Sequence, residues 1–473
     1  MDGTLVRGDT LHEAVLAYLG ANPSNLFRMI GWLKHGKAGF KRRLADEYVI
    51  GGKNILLNET VLEKIRAEKK TGRKVVLASA ADLRQAITVA EVVGLFDEVY
   101  GTNHKIWNGK NLAGRSKSDF LTELYGERQF DYIGDSAVDV PVWKAARKAI
   151  TIGAGKSLRR KVEDAAEEFL HLEFPCPVAK RLGLYLRAMR PHQWVKNLLI
   201  FIPMLAARDF YAFWPALLAF ISFSMVASSI YIINDLFDLA ADRAHPRKCK
   251  RPFAAGDIPI KHGFYLFAIL FTIAAGLASA FLPPLFLGVL LLYLVTTVAY
   301  SLVLKRKLII DVWTLAGLYT VRLMAGAAAT SLVLSPWILG FSMFLFFALA
   351  AVKRQAELAD QIIRNVSDTA GRAYKTADLP VLQMMSVAAG YAAVLLFGLY
   401  TNSTVATGNY AAPHLLWGVC PILLYWISRV AIMTHRGYMT DDPIVFSAKD
   451  RQSQICGLLM FLCFSAASIG GDL

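Results

Sequence analysis

From about Trp194 onward the chain passes through repeated apolar stretches, each close to the roughly 20 helical residues that cross a hydrocarbon layer of about 30 Å. Nine candidate spans lie near residues 195–207, 213–234, 264–282, 284–303, 309–331, 334–352, 381–401, 415–433 and 454–471. An all-α polytopic membrane bundle of about nine transmembrane helices is therefore expected over residues 190–473. The preceding part differs in character: residues 1–179 carry 27 basic and 23 acidic side chains, against 25 and 14 in the remaining 294. Two unlike domains follow, and with 55% of the chain apolar, disorder is excluded.

Basic residues orient the spans. The loop near 240–262 holds Arg243, Arg247, Lys248, Lys250, Arg251 and Lys261; later loops on the same side hold Lys305–Arg306–Lys307, then Lys353–Arg354 with Arg372, then Arg436, Lys449 and Arg451. The intervening connections hold a single basic residue, Arg208, so the positive-inside bias predicts a cytoplasmic amino end and, with nine crossings, a carboxyl end outside the plasma (inner) membrane. The start, MDGTLVRGDT, has neither the basic opening nor the apolar core of a secretory signal. A net charge of +15 could suggest nucleic acid, but the basic residues flank apolar spans, so no nucleic-acid partner is expected. Five scattered cysteines show no metal or disulfide spacing.

In the first part, apolar residues recur at helical spacing between residues 10 and 70, while Lys74–Ser79 and Phe130–Gly134 read as short buried strands ending in polar turns. An α/β domain with a helical insertion is predicted. Four elements follow in order: Asp2-Gly3-Thr4, Ser79 at the end of VVLAS, Lys117 in GRSKSDFL, and Asp135 with Asp139 in IGDSAVD. A hydroxyl and an ammonium can hold phosphate oxygens, and carboxylates at strand ends suit Mg²⁺. The set resembles the haloacid-dehalogenase (HAD) phosphatase superfamily over residues 1–172, which implies a Rossmannoid fold with a helical cap, Ser79 and Lys117 on phosphate, and Asp135 and Asp139 on Mg²⁺. In the family motif Asp-x-Asp-Gly-Thr, Asp2 matches the second, acid/base aspartate; the first, the nucleophile, has no counterpart, nor does the strand that bears it. A start upstream of Met1 is the expectation, and a domain that has lost catalysis and serves docking is the alternative. Residues 173–189, around Phe174-Pro175-Cys176-Pro177, read as a linker.

The second part carries Asn234-Asp235-Leu-Phe-Asp238-Leu-Ala-Ala-Asp242-Arg243 at the inner end of the second span. Spacings of three and four put the aspartates on one helical face, where like charges repel. Local ion pairs with the following basic run are the bland account, and a divalent cation holding a diphosphate is the sharper one. The stretch NDLFDLAADRAHPRKCKRP resembles the first aspartate-rich motif of the UbiA-type intramembrane prenyltransferases, from about Arg190 to the end. The resemblance implies a helical bundle with a lipid-open cavity. The second DxxxD of aromatic prenyltransferases is missing from the loop after the sixth span, which begins Lys353-Arg354-Gln-Ala-Glu357.

Arg190-Pro-His-Gln-Trp194-Val-Lys196-Asn197, Tyr300 with Lys305 and Arg306, Asp311, Arg322, and Lys353-Arg354 with Glu357 resemble the decaprenyl-phosphate phosphoribosyltransferase branch. That likeness implies Mg²⁺-dependent transfer of 5-phosphoribose from phosphoribosyl diphosphate (PRPP) to a polyprenyl phosphate, a step of cell-envelope lipid assembly. Asp235, Asp238 and Asp242 with Asn234 would hold Mg²⁺-diphosphate, with Lys196, Arg243, Tyr300, Lys305, Arg322, Lys353, Arg354 and Arg372 contacting substrate. Anchoring, snorkelling or positive-inside roles compete for several of these. Arg322 lies well inside a span, where an unpaired Arg costs about 2.5 to 3.5 kcal/mol, and pairs either with Asp311 or with a substrate phosphate. An aromatic prenyltransferase using prenyl diphosphate, and a non-catalytic membrane scaffold, remain the alternatives.

Overall fold

The computed structural model describes the chain except residues 23, 52–54, 104–110, 174–177, 364–372, 440–441 and 470–473. It forms two compact units: Met1–Met189 with Tyr231–Phe267, and Arg190–Ile230 with Ala268–Leu473. The segment bearing the aspartate motif thus groups with the amino-terminal unit, a division that the apolar pattern alone does not suggest.

The first unit begins with α1 (Thr10–Ala21), α2 (Asn25–Trp32), α3 (Gly36–Glu47) and α4 (Glu59–Lys70). Asp9 starts α1 by accepting the backbone N–H groups of Leu11 and His12, two of the donors a helix start leaves free. Strands and helices then alternate: β1 (Val76–Asp82), α5 (Leu83–Val93), β2 (Glu98–Thr102), α6 (Arg115–Tyr125), β3 (Asp131–Gly134), α7 (Val140–Ala145), β4 (Lys148–Ile152), α8 (Lys156–Glu163) and β5 (Glu168–Leu172). Gly94, at φ 66, closes α5 in the left-handed conformation that glycine adopts without strain. The strands form two small parallel sheets, β1–β2 and β3–β4–β5, in register at Val76↔Glu98, Asp131↔Lys148 and Lys148↔Glu168. β1 and β3 both line one cavity of about 360 Å³, whose further walls include Val61 and Ile65 of α4 and Leu121 and Tyr125 of α6. Arg73, just ahead of β1, donates to Asp131 at 2.6 Å. The two expected strands are therefore present, as members of parallel sheets.

After α9 (Val178–Met189), a 3₁₀ stretch, Pro191–Phe201, leads into the short α10 (Ile202–Ala207). Next come α11 (Phe213–Phe237), α12 (Leu239–Ala244), α13 (Ile260–Phe281), α14 (Pro284–Leu302), α15 (Ile310–Thr330), α16 (Pro336–Ile363), α17 (Leu379–Thr401), α18 (Thr404–Asn409), α19 (Val419–His435), α20 (Pro443–Lys449) and α21 (Arg451–Ile469). Among the described residues eight helices are long and apolar enough to cross a membrane, not nine. The expected first span differs because Pro203 cannot donate a helical hydrogen bond, and the chain there changes from 3₁₀ to α geometry. α15 is the most enclosed of the eight. A side chain at Gly326 would collide with the backbone carbonyl of Ile200, so this glycine lets α15 press against the segment that carries Lys196 and Asn197.

Candidate functional site

In the first unit, α11 ends at Phe237 and Asp238 leaves helical geometry at φ −91, ψ 9, before α12 begins. Asp235 and Asp242 are buried at 3% and 2% exposure, whereas Asp238 is exposed. The expectation of three aspartates on one helical face is therefore not met: the break at Asp238 turns the middle carboxylate towards solvent. Arg251 donates from Nη1 to Asp235 Oδ1 at 3.1 Å and to Asp242 Oδ2 at 2.5 Å. Among the described residues no three His, Cys, Asp or Glu side chains form a metal-holding group. Two buried carboxylates that converge on one cation nevertheless fit a divalent ion as an alternative counter-charge, with hard oxygen donors. Asn234 is partly buried beside them. Arg243, expected at substrate, is instead turned to Glu13 and to the carbonyl of Ala254.

The second unit gathers cations. Lys196 Nζ lies 2.7 Å and Lys353 Nζ 3.4 Å from Asp442 Oδ2. Tyr319 donates to the same carboxylate at 3.0 Å, and the backbone N–H of Ile444 donates to it at 3.2 Å. The lysines and this hydroxyl hold the Asp442 carboxyl well below the usual range although burial opposes them. Arg322 donates from Nε to Asn197 Oδ1 at 2.9 Å and also to the Leu318 carbonyl, both neutral oxygens. Asn197 is fixed by Ser224 at 2.8 Å. The guanidinium sits within 6 Å of the rings of Phe223, Tyr293 and Tyr319, whose faces attract a cation.

Asp311, offered above as a partner for Arg322, pairs with Arg354 instead. Tyr300 donates to Asp311 Oδ1 at 2.9 Å and accepts from Arg354 Nη2 at 2.5 Å, and Glu357 takes another arm of the same guanidinium. Asp311 is fully buried and Arg354 2% exposed, so Tyr300 and Arg354 belong to a saturated ion network joining α14, α15 and α16. That occupies them structurally and leaves them little capacity for substrate. Lys305 stands partly exposed on the turn Leu304–Arg306. Arg372 lies outside the described residues.

In the amino-terminal part, Lys117 Nζ is 3.3 Å from Asp139 and 2.8 Å from the Tyr132 hydroxyl, which donates to Asp139 at 2.9 Å. Thr4 donates to Asp135 at 2.8 Å, and Asp2 accepts the Thr10 N–H at 2.9 Å. Burial raises the Asp2 and Asp135 carboxyls above the usual range. A Cβ at Gly3, next to Asp2, would strike the Asp135 carboxylate, and one at Gly134 would strike that of Asp139, which Lys117 meets, so the stretches that carry the four expected residues are brought together. Ser79 is buried within β1, and its hydroxyl accepts the Ala81 N–H at 3.1 Å. Asp442 and Arg251 were missed as site residues. Asp442 lies 246 residues from Lys196, and its one local signal is the Asp-Pro pair that opens α20.

Over nearly its whole length the chain is 35% identical to the protein y4nM of Sinorhizobium fredii, an alignment of 477 residues that covers 99% of this chain and 90% of that one. The nodulation protein NoeC of Azorhizobium caulinodans is 34% identical over 60% of this chain and 95% of its own. A decaprenyl-phosphate phosphoribosyltransferase of Mycolicibacterium smegmatis is 31% identical over 60% of this chain and 91% of its own. Among solved structures, a UbiA homolog from Archaeoglobus fulgidus bound to DMAPP and Mg²⁺ overlays with a TM-score of 0.46 at 15% identity, covering 60% of this chain and 99% of that one. Residues 198–450, more than half of the chain, match the model of a single family, which sets both the apolar helices and the acid-rich connection in one framework: the chain is a multi-pass membrane transferase and belongs to the UbiA prenyltransferase family.

Proposed function

We propose that the chain transfers 5-phosphoribose from PRPP to a polyprenyl phosphate. The observation that carries this is the cluster of Lys196, Lys353 and Arg322, in which the two lysines share one carboxylate while, among the described residues, the buried guanidinium of Arg322 donates to the neutral oxygens of Asn197 and Leu318. Buried positive charge of this kind calls for an anion, and both substrates are polyanions. Similarity to the decaprenyl-phosphate phosphoribosyltransferases supports the choice of sugar donor.

In this mechanism Asp235 and Asp242, with Asn234 beside them and Asp238 reaching from the solvent side, would hold the Mg²⁺ that accompanies the diphosphate. Mg²⁺ when bound neutralises charge on the leaving group. Lys196, Lys305 and Arg322 bind phosphate oxygens. The bond from the anomeric carbon to diphosphate breaks, the electron pair leaves with the diphosphate, and an oxygen of the polyprenyl phosphate forms the new bond to that carbon. No base is required, because the attacking phosphate is already ionised. On this proposal the active site and amino-terminal unit face the cytoplasmic side of the plasma membrane, a reading that the basic loops support.

For the first unit, a HAD-like phosphatase that removes the 5-phosphate of the lipid product is the accompanying proposal. The gathering of Asp2, Lys117, Asp135 and Asp139 supports it. The cavity lined by both β1 and β3 leaves room beside both strands, as a further parallel strand of such a fold would need.

Membranes containing the chain are to be incubated with labelled PRPP and polyprenyl phosphate, and in parallel with labelled prenyl diphosphate and an aromatic acid. Ribose label in the lipid fraction is the expected result. Prenylated aromatic product would replace the proposal with aromatic prenyl transfer, and label in neither would remove both.

A further inference from the structure

Arg243 immediately follows Asp242, yet its guanidinium faces away from any substrate role. It donates from Nη1 to Glu13 Oε2 at 2.7 Å, from Nη2 to Glu13 Oε1 at 2.8 Å, and from Nε to the carbonyl of Ala254 at 3.2 Å. Both side chains are less than a tenth exposed. This is the parallel two-bond fork of guanidinium on carboxylate, the geometry in which charge-assisted hydrogen bonds are strongest and most directional. Glu13 is itself held in place. A Cβ at Gly8 would collide with Glu13 Oε1, so that glycine gives the carboxylate its room. Glu13 lies in the first turn of α1, which Asp9 caps and which the Asp2 carboxylate grips through the Thr10 N–H.

We propose that Glu13 is a positioning residue for the aspartate loop: by clamping Arg243 and, through it, Ala254, it fixes the loop so that Arg251 can bring Asp235 and Asp242 together. The amino-terminal helix α1 thereby sets the conformation of the diphosphate-binding acids. The Mycolicibacterium smegmatis relative aligns with 60% of this chain, over its carboxyl-terminal part, so Glu13 falls outside that alignment. The clamp is thus a property of the fused chain, and it couples the first turn of α1, next to Asp2, to the acids at the end of α11 and in α12.

The effect on turnover rests on the phosphoribosyl-transfer proposal, but the clamp can be tested without it. The chain in membranes is treated briefly with trypsin, whose targets Arg247, Lys248 and Lys250 lie within the clamped loop, and cleavage is mapped by mass spectrometry. Glu13→Arg and Arg243→Glu should each raise cleavage there by roughly tenfold or more, the loss expected for charge-assisted bonds. The milder Glu13→Gln should raise it less, and the double reversal E13R/R243E should restore protection. In the ribose-transfer assay the single variants should require severalfold more Mg²⁺ for half-maximal rate, and the double reversal should return towards the original requirement. Unchanged protection in the single variants, or a double reversal no better protected than they are, would overturn the clamp. Wild-type chain that shows the protection pattern but transfers no ribose would retain the clamp and remove the transfer proposal.

Discussion

At the scale of single residues, Arg322 separates a phosphate-binding role from a structural one. Its hydrogen bonds to Asn197 and Leu318 satisfy two donors, and three aromatic rings stabilise its charge, so a lysine there keeps the cation but loses the planar fork. Arg322→Lys should fold normally and lower kcat/KM for ribose transfer by roughly 10- to 150-fold, the range of a lost hydrogen bond to a charged group. Arg322→Met should lose more, with detergent-extracted protein still monodisperse. Asp135 offers a test in the first unit. Burial raises its carboxyl above the unfolded value near 3.8, so the stability it contributes is fully present below that value and is lost as pH rises through the raised one. Asparagine resembles the protonated form and still accepts the Thr4 bond. The Tm of Asp135→Asn minus that of the wild type, measured without Mg²⁺, should therefore grow as pH rises from about 4. A difference independent of pH would show that the carboxylate carries no such burial cost.

At the scale of elements, the cavity lined by β1 and β3 gives the most direct test of the first unit. A parallel strand buried on both faces should be a continuous apolar run. Fusing about seven such residues directly ahead of Met1 should raise the unit's Tm by several degrees, since each kilocalorie per mole gained shifts a unit of this size by about 2–4 °C. A polar strand of equal length should not. The strands β1 and β3 were legible because VVLAS and FDYIG are short apolar runs ending in turn residues. The long membrane helices were legible because hydrocarbon demands a continuous apolar run and internal backbone bonding. What sequence spacing could not supply was pairing at long range. Asp442 meets Lys196 across 246 positions, Glu13 meets Arg243 across 230, and Arg354 takes Asp311 away from Arg322. Helical periodicity also misled at Asp238, since a spacing of three and four presumes an unbroken helix and the chain breaks there.

At the scale of the whole molecule, the parity of crossings decides where the carboxyl end lies. Eight long helices alone would return the chain to the side on which it entered, whereas a ninth crossing by residues 191–207 puts the two ends on opposite sides. Length favours the ninth crossing. The 11-residue 3₁₀ stretch rises about 2.0 Å per residue and the six residues of α10 about 1.5 Å, together roughly 31 Å against a hydrocarbon core of about 30 Å. The tighter helix thus spans in 17 residues what an α-helix needs about 20 to cross. Polar groups within it do not forbid this, because Lys196 and Asn197 are buried against Asp442, Arg322 and Ser224 and so need not meet lipid. Alkaline phosphatase, active only outside the cytoplasm, should therefore be active when fused after Leu473 and inactive when fused ahead of Met1, while a fluorescent protein that matures only in the cytoplasm should show the reverse. Two cytoplasmic ends would mean that residues 191–207 lie within one leaflet, and the Lys196 cluster would then have to reach its phosphate from a re-entrant segment.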